Sequence, residues 1–188
     1  MGRWVPGARG RLQLAAMELY AERGFEQTTV AEIATRAGLT ERTFFRHFAD
    51  KREVLFAGQD QLTELVLAAL AEAPAELSAL DAATAAFAAS TELFGERPDG
   101  PRARQSIIDA HPELQERELI KLARLGSAIA EGLERRGVAA PAASLAAQSS
   151  VAVFRTGFER WTTADDGRSL DACLREALAE LKKVASAP

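Results

Sequence analysis

At 188 residues and 47% hydrophobic, the chain is long enough to bury a real core, and its Ala, Leu, Glu and Arg content favours helix. Its single cysteine, Cys173, excludes an internal disulfide and a paired-thiol metal site, which fits a reducing cytoplasm. The net charge of −4 conceals an asymmetry: residues 1–52 hold nine Lys/Arg against six Asp/Glu, whereas the remainder holds 14 against 21. A basic head on an acidic body suits a chain that meets phosphate at one end.

The N-terminal stretch through Arg11 is basic without an apolar centre, unlike a secretory signal. No apolar run is expected to reach the roughly 18 residues of a membrane span. From Arg9 to Arg23 the apolar positions Leu12, Ala15, Ala16, Leu19 and Tyr20 recur at three and four, predicting an amphipathic helix closed by Gly24. Thr29-Val-Ala-Glu32 reads as a capping box opening a short helix over 30–37 that ends at Gly38. Thr40 caps the next, to about Phe48. Asp50-Lys-Arg-Glu53 reads as a second capping box before a helix to about Glu72.

Further along, longer helices are predicted over 76–93, 101–110, 112–136, 141–161 and 170–185. They are punctuated by the Glu96–Pro101 breaker, His111-Pro112, Gly137 and Ala164–Gly167. His111 is expected to cap a helix, and Cys173 to be a buried small apolar residue. The fold class is therefore all-α, about nine helices, without a strand pattern or internal repeat.

Three short helices with a tight glycine joint point to a helix-turn-helix. Ala34 is small where the second helix crosses. Gly38 admits a left-handed turn, Leu39 plugs the joint, and Phe44 and Phe48 face inward. Outward lie Thr40, Glu41, Arg42, Thr43, Arg46 and His47, groups suited to base edges or phosphates. The starts at Thr29, Thr40 and Asp50/Lys51 are natural phosphate seats, because a helix N-terminus carries partial positive charge. Arg3, Arg9 and Arg11 could follow the DNA backbone or minor groove.

The run from Ala8 to Phe56, especially Thr28 to Lys51, resembles the DNA-binding domain of TetR-family regulators. The resemblance assigns phosphates to Thr29, Thr40, His47 and Lys51, and bases to Glu41, Arg42 and Thr43. Phe45 stands where many members carry tyrosine. It lacks the hydroxyl that touches phosphate, which leaves packing or a sugar contact and shifts phosphate load to Arg46 or Lys51. The resemblance further implies domains at 8–56 (DNA binding) and 57–188 (ligand binding and dimerisation). A homodimer is implied through the last two helices, where Ala146, Ala147, Ser149, Ser150, Ala152 and Gly157 allow close approach.

A small hydrophobic ligand is implied among the middle helices, with Phe87, Phe94, Ile107, Ile108, Leu122, Leu125, Phe154, Phe158 and Trp161 as candidate lining. The stretch His111-Pro-Glu-Leu114 with Arg117 and Lys121 is similar to a subgroup with acyl-CoA-type ligands. Repression of operator DNA, relieved when ligand favours another spacing of the two DNA heads, is the expected activity. An activator, a ligand-independent repressor and a nonspecific architectural DNA binder stay open. No catalytic constellation, metal-ligand spacing or cofactor loop is legible, so an enzyme is not expected.

Overall fold

The computed structural model describes residues 7–95, 98–164 and 166–186. Every described element is helical. They are α1 (Ala8–Arg23), α2 (Val30–Arg36), α3 (Glu41–His47), a 3-10 turn (Glu53–Phe56), α4 (Gln59–Glu72), α5 (Ala79–Ala86), a second 3-10 turn (Phe87–Ser90), α6 (Thr91–Phe94), α7 (Asp99–Asp109), α8 (Pro112–Arg135), α9 (Ala140–Thr163) and α10 (Leu170–Ser186). The nine predicted helical stretches are all present, but two are interrupted. The stretch over 50–72 breaks at Ala57-Gly58. That over 76–93 begins later, at the Ser78 cap, and tightens into a 3-10 turn at Phe87–Ser90.

Two compact units divide the chain. One takes in the residues through Gly58 together with Ala103–Gln115; the other takes in Gln59–Arg102 and the chain from Glu116 onward. In the first, α1 buries the predicted face of Leu12, Ala15, Ala16, Leu19 and Tyr20. Against it pack Phe25, Ile33, Ala34, Phe44, Phe48 and Val54–Phe56, along with Ile108 and Leu114 from the distant segment. Ile108 and Leu114 are 1% and 0% exposed, so each adds about 1.5–3 kcal/mol of burial to this core.

The second unit is built on α9, which packs against α5 and, in antiparallel fashion across a short connection, against α10. Glycines let backbones approach. A Cβ on Gly157 would stand 2.8 Å from Leu174 Cδ2 and 3.1 Å from its Cα, and one on Gly132 2.8 Å from Leu70 Cδ2. Long arginines finish the helix ends: Arg136 donates to the carbonyls of Leu70 (2.9 Å), Ala71 (3.3 Å) and Pro74 (3.1 Å). Arg102 donates to those of Thr162 and Ala164.

One expectation is corrected here. Glu53–Glu72, whose most apolar 18-residue window has mean hydropathy 1.2, is long and apolar enough by composition to cross a membrane. Its apolar residues are used inside the protein instead: Val54, Leu55 and Phe56 in the first core, Leu62, Val66 and Leu70 in the second.

Candidate nucleic-acid interface and ligand core

The helix-turn-helix is assembled by local hydrogen bonding that the residue types dictate. The Thr29 side chain accepts from the Glu32 amide (3.3 Å) while the Glu32 carboxylate accepts from the Thr29 amide (2.9 Å), completing the capping box. Those bonds hold the Glu32 carboxyl below the usual carboxylate range, the Thr29 backbone contributing most. At the far end of α2 the Gly38 amide reaches Thr35 O (3.0 Å) and the Leu39 amide reaches Ala34 O (2.9 Å). Gly38 takes φ +66°, a conformation that L side chains rarely adopt. Thr40 then caps α3, accepting from the Thr43 amide at 3.2 Å.

The helix α3 turns Phe44 fully inward and Phe48 nearly so, leaving Glu41, Arg42, Phe45 and Arg46 exposed on one side. The structure places the remaining predicted contacts less simply. The Thr43 hydroxyl lies 3.1 Å from that of Thr40, so it is engaged at the cap and not held out with Glu41 and Arg42. His47 is half-buried, and its Nε2 is enclosed without a hydrogen-bond partner among the described residues. Thr29 and Thr40 are exposed at their helix starts.

Lys51, expected at a phosphate, is turned inward. Its Nζ donates to the carbonyls of Phe25 (2.8 Å), Glu26 (3.0 Å) and Thr28 (3.1 Å), using all three ammonium hydrogens. The same nitrogen sits 4.5 Å from the centroid of the Phe25 ring. The Lys51 carbonyl accepts from the Tyr20 hydroxyl at 2.7 Å, and burial pushes the Tyr20 phenol far above its usual pKa. The physical reason is that the loop Phe25–Thr28 ends one helix and begins another, leaving carbonyls that need donors.

Arg9 is similarly occupied, donating to Ala57 O (2.9 Å) and lying over the Phe48 ring. Arg11 is half-buried, its guanidinium 4.0 Å from where a Gly38 Cβ would be. Arg3 lies outside the described residues. His111 places Nδ1 2.7 Å from Ile107 O and its ring edge-on to Phe25. The sequence carries no signal for Lys51, Arg9 and Tyr20 as internal ties, because their partners are backbone carbonyls 23 to 48 positions away.

The C-terminal unit brings together Phe87, Phe94, Phe154, Phe158 and Trp161. Phe87 stacks on Phe154 at 4.5 Å, Phe154 neighbours Phe158, and Phe158 neighbours Trp161. Phe94 contacts Phe154, Phe158 and Trp161. Leu122 and Leu125 lie in the same core. Ile107 and Ile108 do not: they pack in the N-terminal unit with Leu12, Phe44 and Leu114, because the apolar face of α7 there is covered by that core. Leu114, in the stretch compared with acyl-CoA binders, is likewise fully buried there. Three buried polar atoms of the C-terminal unit, Gln59 Nε2, Thr84 Oγ1 and Trp161 Nε1, have no hydrogen-bond partner among the described residues. The free thiol of Cys173 is buried, as expected, and burial raises its pKa. No group of three or more His, Cys, Asp or Glu suited to a metal occurs among the described residues.

An all-helical chain with a capped helix-turn-helix at one end and an aromatic-cored helical unit beyond it defines a class of bacterial regulator, and the comparisons bear that out. Residues 14–57 match the family described as bacterial regulatory proteins, tetR family, and residues 77–186 match the MftR C-terminal domain. The chain belongs to the TetR family.

It is 43% identical over 92 residues to the HTH-type transcriptional regulator TcmR of Streptomyces glaucescens, covering 49% of this chain and 39% of that one. It is 29% identical over 121 residues to MftR of Mycobacterium tuberculosis, called a mycofactocin biosynthesis transcriptional regulator, covering 64% and 61%. The chain thus spans about two-fifths to three-fifths of the length of these curated relatives. Among solved structures, the Thermus thermophilus repressor FadR in complex with lauroyl-CoA superposes with a TM-score of 0.58 at 26% identity, covering 96% of each chain.

Proposed function

We propose that this protein is a sequence-specific transcriptional repressor that binds operator DNA as a homodimer in the cytoplasm and is released by a small hydrophobic ligand. The observation that carries the reading is the exposed face of α3, where Glu41, Arg42, Phe45 and Arg46 stand together behind a Thr40 cap. On that geometry Glu41 and Arg42 read base edges, while Arg46 and the amides at the Thr29 and Thr40 helix starts hold phosphates. DNA binding resides within 8–56, and ligand binding and dimerisation within 57–188. Support for a dimer through the last two helices comes from their exposed apolar side chains, Leu145 on α9 (72%) and Val184 on α10 (74%). Two recognition helices related by a twofold axis would reach half-sites about one helical turn, or a multiple, apart.

Support for a ligand comes from the aromatic core together with two buried polar groups of the same unit, Thr84 Oγ1 and Trp161 Nε1, that lack partners among the described residues, since buried polar atoms ordinarily have them. A mostly apolar molecule carrying one or two polar atoms would complete them. The lauroyl-CoA held by the similar Thermus repressor makes acyl compounds the first to try. Release then follows from differential affinity of the ligand for a form with altered spacing of the DNA heads.

Selection from randomised duplex DNA tests the reading. The wild type should enrich one sequence by roughly 10³-fold or more over random duplex. Arg42→Ala should lose about 1–3 kcal/mol of discrimination at one position. Absence of enrichment would leave a nonspecific DNA binder. Titration of the bound complex with lauroyl-CoA reads release, sedimentation reads the dimer, and a reporter downstream of the selected site separates repression from activation.

A further inference from the structure

Phe45 is the one apolar side chain on the exposed face of α3, and neither packing nor capping accounts for it. At 100° per residue, Glu41 and Arg42 precede it by one turn and Arg46 follows it. Phe44 and Phe48 are buried at 0% and 4%, whereas Phe45 is 56% exposed. It therefore lies within the arc bounded by Glu41 and Arg46, flanked on both sides by charged groups. Its orientation is set from below: the Phe44 ring meets it edge-on, centroids 5.5 Å apart and planes at 82°. A rigid anchor beneath an exposed ring means that little conformational freedom is lost on contact.

We propose that Phe45 is a specificity-determining residue that reads the C5 methyl group of a thymine in the major groove. The inference rests on the DNA-binding reading above and adds a base to it. A phenyl ring offers no donor or acceptor. Against guanine, cytosine or adenine it covers polar major-groove edges and strips their water without replacing it. Thymine alone presents a methyl group in that groove, and apolar contact with it is the complement of an aromatic ring. The neighbours fit this division of labour. Arg42 is exposed with a guanidinium able to pair with guanine O6 and N7, so the α3 face couples one polar reading to one apolar reading in adjacent positions. A phosphate role is closed to Phe45, because it has no hydrogen to donate. A sugar contact remains physically open, and it makes a different prediction because sugars do not distinguish thymine from uracil.

The test uses the full chain and the duplex enriched by selection, with each thymine replaced in turn by deoxyuridine, which deletes only the methyl group. One replacement per half-site should weaken wild-type binding about fourfold, the worth of one buried methyl-sized group of ~0.8 kcal/mol. Phe45→Ala, at an exposed position, should bind the thymine and deoxyuridine duplexes equally, and Phe45→Tyr should keep the difference. The proposal is overturned if wild type ignores every replacement, as a sugar contact requires, or if Phe45→Ala shows the same penalty as wild type. Failure of any sequence to be enriched overturns both this inference and the DNA-reading proposal beneath it. Enrichment with indifference to the methyl overturns this one alone.

Discussion

The ammonium of Lys51 sits 4.5 Å above the ring of Phe25 and donates to that residue's own carbonyl at 2.8 Å. With Glu26 O and Thr28 O completing its three hydrogen bonds, one cation holds the loop between α1 and α2 against the turn that follows α3. The loop leads directly into the Thr29 cap, so this lysine ties the start of the helix-turn-helix to the turn that follows α3.

Replacing Lys51 with methionine keeps the apolar stem and removes the donors. Three carbonyls then lack their partner, and thermal denaturation should show a loss of about 1–3 kcal/mol. The salt dependence of DNA binding should keep its slope, because no phosphate contact is removed. Arg46→Ala should behave oppositely, leaving the melting temperature in place while flattening the slope by about one charge. A flatter slope with unchanged stability in Lys51→Met would return Lys51 to the phosphate contacts.

Gly157 and Gly126 offer a matched pair of alanine substitutions. A methyl group at Gly157 meets Leu174 Cα and N at 3.1 Å, backbone atoms of another helix that cannot step aside. Gly157→Ala should destabilise by about 1–3 kcal/mol through overpacking. At Gly126 the methyl meets only the end of the Gln148 side chain, at 3.1 Å, which can swing away. There the better helix propensity of alanine should dominate, worth up to ~1 kcal/mol of stabilisation. Chemical denaturation midpoints of the two variants should fall on opposite sides of the wild type.

Thr84 carries a buried hydroxyl without a partner among the described residues, at 4% exposure on α5. Valine has the same shape and no hydroxyl, so Thr84→Val should stabilise the free protein by about 1–2 kcal/mol. Calorimetry should show the melting temperature rise. A fall would mean that the hydroxyl does have a partner.

Lys182 on α10 donates to Asp81 at the start of α5, at 2.5 Å, and the Ser78 hydroxyl adds a bond of 2.6 Å. These hold the Asp81 carboxyl below its ordinary range, Lys182 contributing most. A carboxyl depressed in the folded state stabilises fully above its unfolded pKa of about 3.9 and loses that contribution as pH falls through the folded value. Asp81→Asn should therefore melt below the wild type at neutral pH. The gap should close only under acid conditions beneath that unfolded value. A gap that persists there would assign the loss to packing.

What could be read in advance follows the range of each interaction. The capping box at Thr29–Glu32, the Gly38 turn and the Thr40 cap involve partners within a few positions, and each appears as expected. The inward face of α1 was likewise written in its own spacing. Side-chain ties to distant backbone were not: Lys51 looked like a surface cation because nothing near it in sequence announces three free carbonyls. Ile107 and Ile108 looked like neighbours of Phe87 and Trp161, since an apolar pair shows that something covers it and not which core does so. The break at Ala57-Gly58 and the 3-10 turn at Phe87–Ser90 also escaped, as helix periodicity continues across both.

The core of the N-terminal unit is closed by residues born late. Leu12, Ile33 and Phe44 leave the ribosome long before Ile108 and Leu114, which occupy the same core at essentially no exposure. At synthesis rates of about 5–20 residues per second, the three short helices wait several seconds with an apolar flank uncovered. The helix-turn-helix of this chain is thus completed only after synthesis passes residue 115. A fragment ending at Gly58 should remain loosely packed however faithfully its three helices form.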